Sequence, residues 1–199
     1  MNLFINGTKA DTTLEGEKTM GDVLRSFELT CESSAAAVVG ITINGQKVDA
    51  ESFDSYTEKP LSENTKFEFE VVTKQAVGDS FKKLSSVFST LSERMEQVPV
   101  DLQSGRGKAA GETLTLLADS VQQFCRTAAL SSLFPDAYTA VRIEDKPFAD
   151  FFAELTPVLA QLEQALESND TILVGDLAEY ELCPRLKAVS KALEGFNDI

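Results

Sequence analysis

The chain has 199 residues, 43% hydrophobic and 25% charged, the balance of a protein that buries a core rather than of a disordered or fibrous one. Its formal charge of −14 is spread along the whole length, with 13 acidic against 7 basic residues through Gln75 and 19 against 11 beyond it. Both parts repel phosphate backbones and anionic lipid heads, which argues against nucleic acid and membranes and leaves another protein, with a basic surface, as the expected partner.

The opening run Leu3, Phe4, Ile5 reads as a strand, and Asn6-Gly7 after it is the dipeptide that best tolerates a tight hairpin. A second strand is predicted over Lys9 to Glu15. Thr19 with Asp22 three residues on is a capping-box pattern, and Val23, Leu24 and Phe27 follow at helical spacing. Val39, Ile41 and Ile43 then alternate with Val38, Gly40 and Thr42 up to a second Asn-Gly turn at Asn44-Gly45. After an irregular segment, a last strand places Phe67, Phe69 and Val71 inward and Glu68 and Glu70 in water. The outer sheet face should present Phe4, Val38, Thr42, Glu68, Glu70 and Val72. Phe4 is the candidate contact residue on that face, its alternative being to dock on the helical part of the same chain.

This order of strands and helix is that of the β-grasp fold. The wording Asn2-Leu3-Phe4-Ile5-Asn6-Gly7, Leu14-Glu15-Gly16-Glu17-Lys18-Thr19-Met20-Gly21-Asp22-Val23-Leu24, Ile41-Thr42-Ile43-Asn44-Gly45-Gln46-Lys47-Val48 and Pro60-Leu61 resembles the bacterial sulfur-carrier proteins of thiamine synthesis, within the wider ubiquitin-like group. The resemblance implies fold and not activity. Those carriers act through a terminal Gly-Gly carboxylate, whereas here the strand runs on through Val72, Thr73, Lys74 and Gln75 and the last residues are Asn197-Asp198-Ile199.

From about Ala76 the period changes from two to about 3.6. Val77, Phe81, Leu84, Phe88, Leu91, Met95 and Val98 form a stripe that Pro99 should end. A polar stretch from Asp101 to Lys108 leads to a helix with Leu114, Leu117, Val121, Phe124 and Ala128, closed by Pro135. After an irregular connection, Asp136 to Lys146, a third helix starts at Pro147 and carries Phe148, Phe151, Phe152, Leu155, Leu159, Leu162 and Leu166. The fourth starts near Asp170 and uses Leu173, Leu177, Leu182, Leu186, Val189 and Leu193 before Gly195. Pro157 and Pro184 should kink or break the last two helices. The expected class is α+β: a ubiquitin-like β-grasp domain over residues 1–75, then an all-α bundle of about four helices over residues 76–199.

The absence of any histidine excludes Ser-His and Cys-His nucleophilic systems, His-based zinc sites and the Glu-x-x-His di-iron bundle. Gly105-Arg106-Gly107-Lys108 fails the Walker pattern at Leu102 and Ala109. No catalytic, cofactor or metal residue is assigned. Cys31, Cys125 and Cys183 are odd in number and far apart, which suits reduced thiols; Cys125 and Cys183 follow Phe124 and Leu182, apolar surroundings where a thiol acts as a small hydrophobe. No stretch reaches the roughly 20 apolar residues of a spanning helix and no signal-peptide pattern opens the chain, so the cytoplasm is expected. The candidate partner-binding residues are Phe4 and, on the fourth helix, Asp176, Tyr180, Glu181 and Arg185. An interaction module, adaptor or chaperone-like, is the expected function. Its rivals are a carboxylate enzyme with Asp176, Glu181 and Arg185 beside a pocket between kinked helices, and a regulator derived from sulfur carriers.

Overall fold

A computed structural model describes residues 1–13, 16–138 and 142–195. The chain divides into two compact units, Met1–Ala76 and Val77–Ile199.

The first unit opens with β1 (Asn2–Ile5) and β2 (Thr8–Ala10), joined by Asn6 and Gly7 at φ 49° and 81°. The hairpin of β3 (Ala36–Ile43) and β4 (Gln46–Val48) repeats this turn at Asn44 and Gly45, φ 52° and 80°. Positive φ at both central residues matches the turn to the twist of its strands, which is why Asn-Gly occupies both. α1 (Met20–Ser33) starts at Thr19, whose hydroxyl accepts the Asp22 amide at 3.1 Å while the Asp22 carboxylate accepts the Thr19 amide at 2.9 Å. With β5 (Lys66–Thr73) the sheet order is β2-β1-β5-β3-β4, β1 and β5 being parallel and the other pairs antiparallel, the β-grasp arrangement. Met20, Val23 and Leu24 of α1 close over Leu3, Ile43, Phe67 and Phe69, and Phe27 stacks on Phe69 with ring centroids 3.9 Å apart. Each such buried side chain contributes about 1.5–3 kcal/mol.

Three local expectations are corrected in this unit. β2 ends at Ala10, because β1 has only Asn2 left to offer beyond the Leu3–Ala10 pair; Leu14 and Glu15 lie outside the described residues. The segment expected to be irregular contains α2 (Ala50–Thr57), capped by Asp49, which accepts the Ser52 amide at 2.8 Å. This helix fully buries none of its residues, so no apolar stripe announces it. β3 carries a bulge between Val38 and Gly40. Val38 therefore packs against the core and Val39 turns out to 45% exposure, the reverse of strict alternation, while Ile41 and Ile43 stay inward. α1 also meets α2 so closely that a Cβ on Gly21 would lie 2.6 Å from the Thr57 carbonyl oxygen, which explains a glycine inside a helix.

The second unit is helical. It holds most of α3 (Lys74–Gln103), then α4 (Gly107–Ser131), the short α5 (Pro135–Tyr138), α6 (Phe148–Glu167), α7 (Thr171–Asp176), a π turn (Leu177–Leu182) and α8 (Cys183–Glu194). α7, the π turn and α8 follow without a break, so the long helical pieces make four rods. Phe81 and Phe88 of α3, Phe124 of α4 and Phe148 and Phe152 of α6 meet with ring centroids 5.1–6.4 Å apart and tie three rods together.

All seven apolar positions read for α3 are buried, but Pro99 does not end the helix, which continues to Gln103. The missing amide is offset by packing: a Cβ on Gly175 would fall 3.2 Å from the Pro99 Cβ, so proline ring and glycine backbone lie in close contact. α6 likewise runs through Pro157. The buried face of α4 is Ala110, Thr113, Leu117, Ser120, Phe124, Thr127 and Ser131, whereas Leu114, Val121 and Ala128 are only half-buried. Leu166 and Leu173 are exposed, with Ala165 and Val174 taking the inward places, and Cys125 lies on the exposed side of α4, a turn of about 100° from Phe124. Asp101 pairs with Arg106 at 2.8 Å across the turn at Gly105, φ 75°, so Gly105-Arg106-Gly107-Lys108 connects α3 to α4. The connection expected to be irregular holds α5 and a tight turn in which Ile143 and Lys146 exchange backbone hydrogen bonds of 2.9 and 3.0 Å; residues 139–141 lie outside the described residues. Gly195 ends α8 in a right-handed conformation, φ −61°, and not by a left-handed cap.

Candidate functional site

The fourth rod carries four of the five candidate residues. It starts as expected at Asp170, whose carboxylate accepts the Leu173 amide at 3.0 Å. Val174, Leu177, Ala178, Leu182, Leu186, Val189 and Leu193 face the core. Pro184 neither breaks nor ends the rod; the π turn stands before it. Proline has no amide and its ring collides with the carbonyl four residues back, so the backbone takes one extra residue just ahead of it. Cys183 then donates to Ala178, five residues back, instead of to Glu179. A signal for this lies in the sequence: the inward leucines run 177, 182, 186, and the step of five between Leu177 and Leu182 is one residue more than an α-helix provides.

The π turn displays its middle. Tyr180 is 66% exposed and Asp176, one turn earlier, is also exposed. The Glu179 carboxylate beside Tyr180 holds the phenol above its ordinary range, with burial, a hydrogen bond to Glu179 and the charge of Asp176 adding to the effect. Glu181 points elsewhere: its carboxylate accepts from Arg185 Nη1 at 2.6 Å, and the same nitrogen donates to the Glu181 carbonyl at 2.8 Å. The Glu181 side chain is 45% exposed, so the pair is an ordinary surface ion pair. A carboxylate enzyme requires Glu181 to be drawn into a cleft, and that condition is not met. The rod thus brings Asp176 and Tyr180 together on one face and sets Glu181 and Arg185 apart as a pair.

Sequence reading missed two apolar neighbours of this face, Ile172 and Leu173, which are 77% and 40% exposed. It also missed a cluster further along the rod, where the Glu96 carboxylate of α3 accepts from the Cys183 thiol at 3.4 Å and from the Lys187 ammonium. Burial, and then the hydrogen bond to Glu96, push the Cys183 thiol up, away from the thiolate form. Lys187 holds Glu96 below the usual carboxylate range.

The fifth candidate, Phe4, lies half-buried on the outer sheet face of the first unit. It stands opposite Glu68 in the parallel β1–β5 register. The Lys66 ammonium lies 4.8 Å from its ring centroid and is itself paired with Glu68 at 2.9 Å. Among the described residues no three His, Cys, Asp or Glu side chains are grouped as a metal site requires, and no helix is long and apolar enough to cross a membrane.

The fold therefore defines an α+β protein with a β-grasp unit followed by a helical unit. Comparison with known proteins divides the chain near the same place. Residues 1–73 match the TP0873 N-terminal domain, and residues 79–192 match the domain of unknown function DUF8042. The second match spans more than half of the chain, which belongs to that family. The chain is also similar to an "Uncharacterized protein" of Treponema pallidum (strain Nichols), 26% identical over 201 residues that cover 97% of this chain and 96% of that one. No solved structure matches.

Proposed function

We propose that this protein is a non-catalytic cytoplasmic interaction module, an adaptor or chaperone-like protein, that binds another protein through the outer face of its fourth helical rod. The observation that carries the reading is Tyr180, held out to solvent by a π turn whose other side is locked into the core. π turns recur at functional sites, and a rigid tyrosine beside apolar neighbours offers a large contact area at small entropic cost. Ile172 and Leu173 supply such neighbours, and Asp176 and Glu179 add acidity suited to a basic partner.

The test is site-specific photo-crosslinking in the native cytosol. A crosslinker at position 180 or 172 should give one discrete protein adduct, and the same group at the exposed Asp119 of α4 should give none. Equal, diffuse adducts at all three positions would end the proposal.

The β-grasp unit supports a second reading, a regulator derived from sulfur carriers. The favouring observation is its strand order, and α3 begins at Lys74 directly after β5, where a carrier has its free glycine tail. This reading requires binding to a carrier-activating enzyme with no thiocarboxylate formed; lack of such binding removes it.

A further inference from the structure

β4 pairs with β3 only over Ile41–Ile43 and leaves the sheet at Val48, where Asp49 starts α2. The rest of β3, Ala36–Gly40, is bonded to β5 along one edge, and among the described residues no strand pairs with its other edge. Beside that open edge is a groove of about 300 Å³ with an apolar floor that includes Leu24, Ile41, Val48 and Phe69. Val39, turned out by the bulge, and Phe53 of α2, 36% exposed, stand at its walls.

Proteins protect open edges with lysine, proline, inward charge, a bulge or a covering element, and of these the open edge of β3 carries the bulge at Val38–Gly40. The stretch Ala36-Ala37-Val38-Val39-Gly40 has no charge and no proline, and the bulge is its one irregularity. An uncharged, β-branched edge beside an apolar groove is a liability unless something occupies it. Both charged residues lining the groove, Glu28 and Asp49, are acidic, and the first 75 residues carry 13 acidic against 7 basic side chains. Like charge therefore opposes a second copy and favours a cationic guest.

We infer that the open edge of β3 takes an extended segment of a partner protein, with alternating apolar side chains and flanking Lys or Arg, added to the sheet in line with β4. Main-chain hydrogen bonds to Ala36–Gly40 hold the segment, every second side chain enters the groove, and the basic flanks meet Glu28 and Asp49. The site lies on the first unit and the Tyr180 face belongs to the second, so either proposal can fail without the other.

The probe is a fluorescein-labelled peptide of alternating Val and Thr with two lysines at each end, titrated into the full chain. Saturable binding is expected, weakened at least about tenfold by glutamate ends, by N-methylation of the alternate amides that face the edge, or by Phe53→Glu. Hydrogen exchange at Ala36–Gly40 should slow on binding. Val39→Pro, its fold checked by circular dichroism, should abolish binding, and Tyr180→Ala should leave it unchanged. The inference is overturned if the peptide does not bind, if the N-methylated peptide binds as well as the parent, or if the protected amides lie elsewhere. It is also overturned if the chain sediments as a dimer that Val39→Pro or Phe53→Glu converts to monomer, since the occupant is then a second copy.

Discussion

Ser85 and Ser190 exchange hydrogen bonds: each hydroxyl donates to the other's main-chain carbonyl at 2.9 Å, with the two hydroxyl oxygens 3.5 Å apart. Both residues are buried, one on α3 and one on α8, so the two helices approach closely where only small side chains fit. Each carbonyl is also placed to keep its own helical bond, and removing one hydroxyl strands no polar group. Ser85→Ala or Ser190→Ala should therefore cost only about 0.5–1.5 kcal/mol. Ser85→Leu should cost more, about 1–3 kcal/mol on top, because the helices have to part. Urea unfolding of the three variants decides the matter. A leucine tolerated as well as alanine would mean that the crossing has room to spare.

The same chemistry explains what sequence reading gets wrong in α4. Thr113, Ser120, Thr127 and Ser131 are buried, and each hydroxyl donates to a carbonyl of its own helix three or four residues back, at 2.6–3.1 Å. With the hydroxyl satisfied internally, the side chain packs as a small apolar one, but a reading that selects for hydrophobic residue type passes it by. Features set by neighbours in sequence are legible: the Thr19–Asp22 capping box, both Asn-Gly turns, the Phe67 and Phe69 alternation and the Glu181–Arg185 pair at i, i+4. Features set by distant partners are not. Pro99 stays helical because Gly175 receives it, and Val38 turns inward because β3 has one residue more than β5 at the bulge. The candidate face was half legible. Its polar members can be read from the sequence, but Leu173 falls in the apolar stripe and Ile172 carries no mark of a surface position.

The two hairpin asparagines do more than turn the chain. Asn6 donates to the Val71 carbonyl and accepts from the Val71 amide, both at 2.9 Å, and Asn44 accepts from the Lys66 amide at 2.9 Å. They extend the pairing of β5 at opposite ends, past the points where β1 and β3 stop. Asn6→Gly keeps the positive φ and loses only the side-chain clamp. It should cost about 1 kcal/mol and speed hydrogen exchange at Val71, whereas Asn6→Ala should cost roughly 1 kcal/mol more through strain at φ 49°. Unchanged exchange at Val71 in Asn6→Gly would show that the clamp carries no load.

Asp22 should make α1 sensitive to acid. Its carboxylate accepts the Lys18 amide at 3.0 Å and the Thr19 amide at 2.9 Å, and these bonds hold it below its ordinary value of 3.8. A carboxyl depressed in the folded state stabilises the fold above the unfolded value, and that contribution fades as pH falls through the folded one. Asp22→Asn should therefore be less stable than the parent near neutral pH, with the gap narrowing from about pH 5 downward and closing in the acid range below 3.8. Urea midpoints measured for both proteins across that range give the answer. A gap that persists unchanged at the acid end would assign the effect to shape and not to charge.

The π turn amounts to one residue inserted into an α-helix, and this can be tested by taking the residue out. Deleting Tyr180 shortens the step from Leu177 to Leu182 from five residues to four, the α-helical spacing, and leaves the inward leucines in register on both sides. Pro184 would then face a carbonyl it cannot bond, so Pro184→Ala must accompany the deletion. Pro184→Ala alone should leave the π turn in place, because closing it would rotate α8 by about 100° and pull Leu182, Leu186 and Val189 out of the core. The deletion with Pro184→Ala should fold, with stability within about 1 kcal/mol of the parent, since the buried face is kept and helical bonding becomes regular. Crosslinking from position 172 to the partner should be lost, because the tyrosine is gone and the neighbouring acidic residues have moved. If the deletion unfolds the chain, the π turn is a necessity of packing; if it folds and still binds, Tyr180 is not what the partner reads.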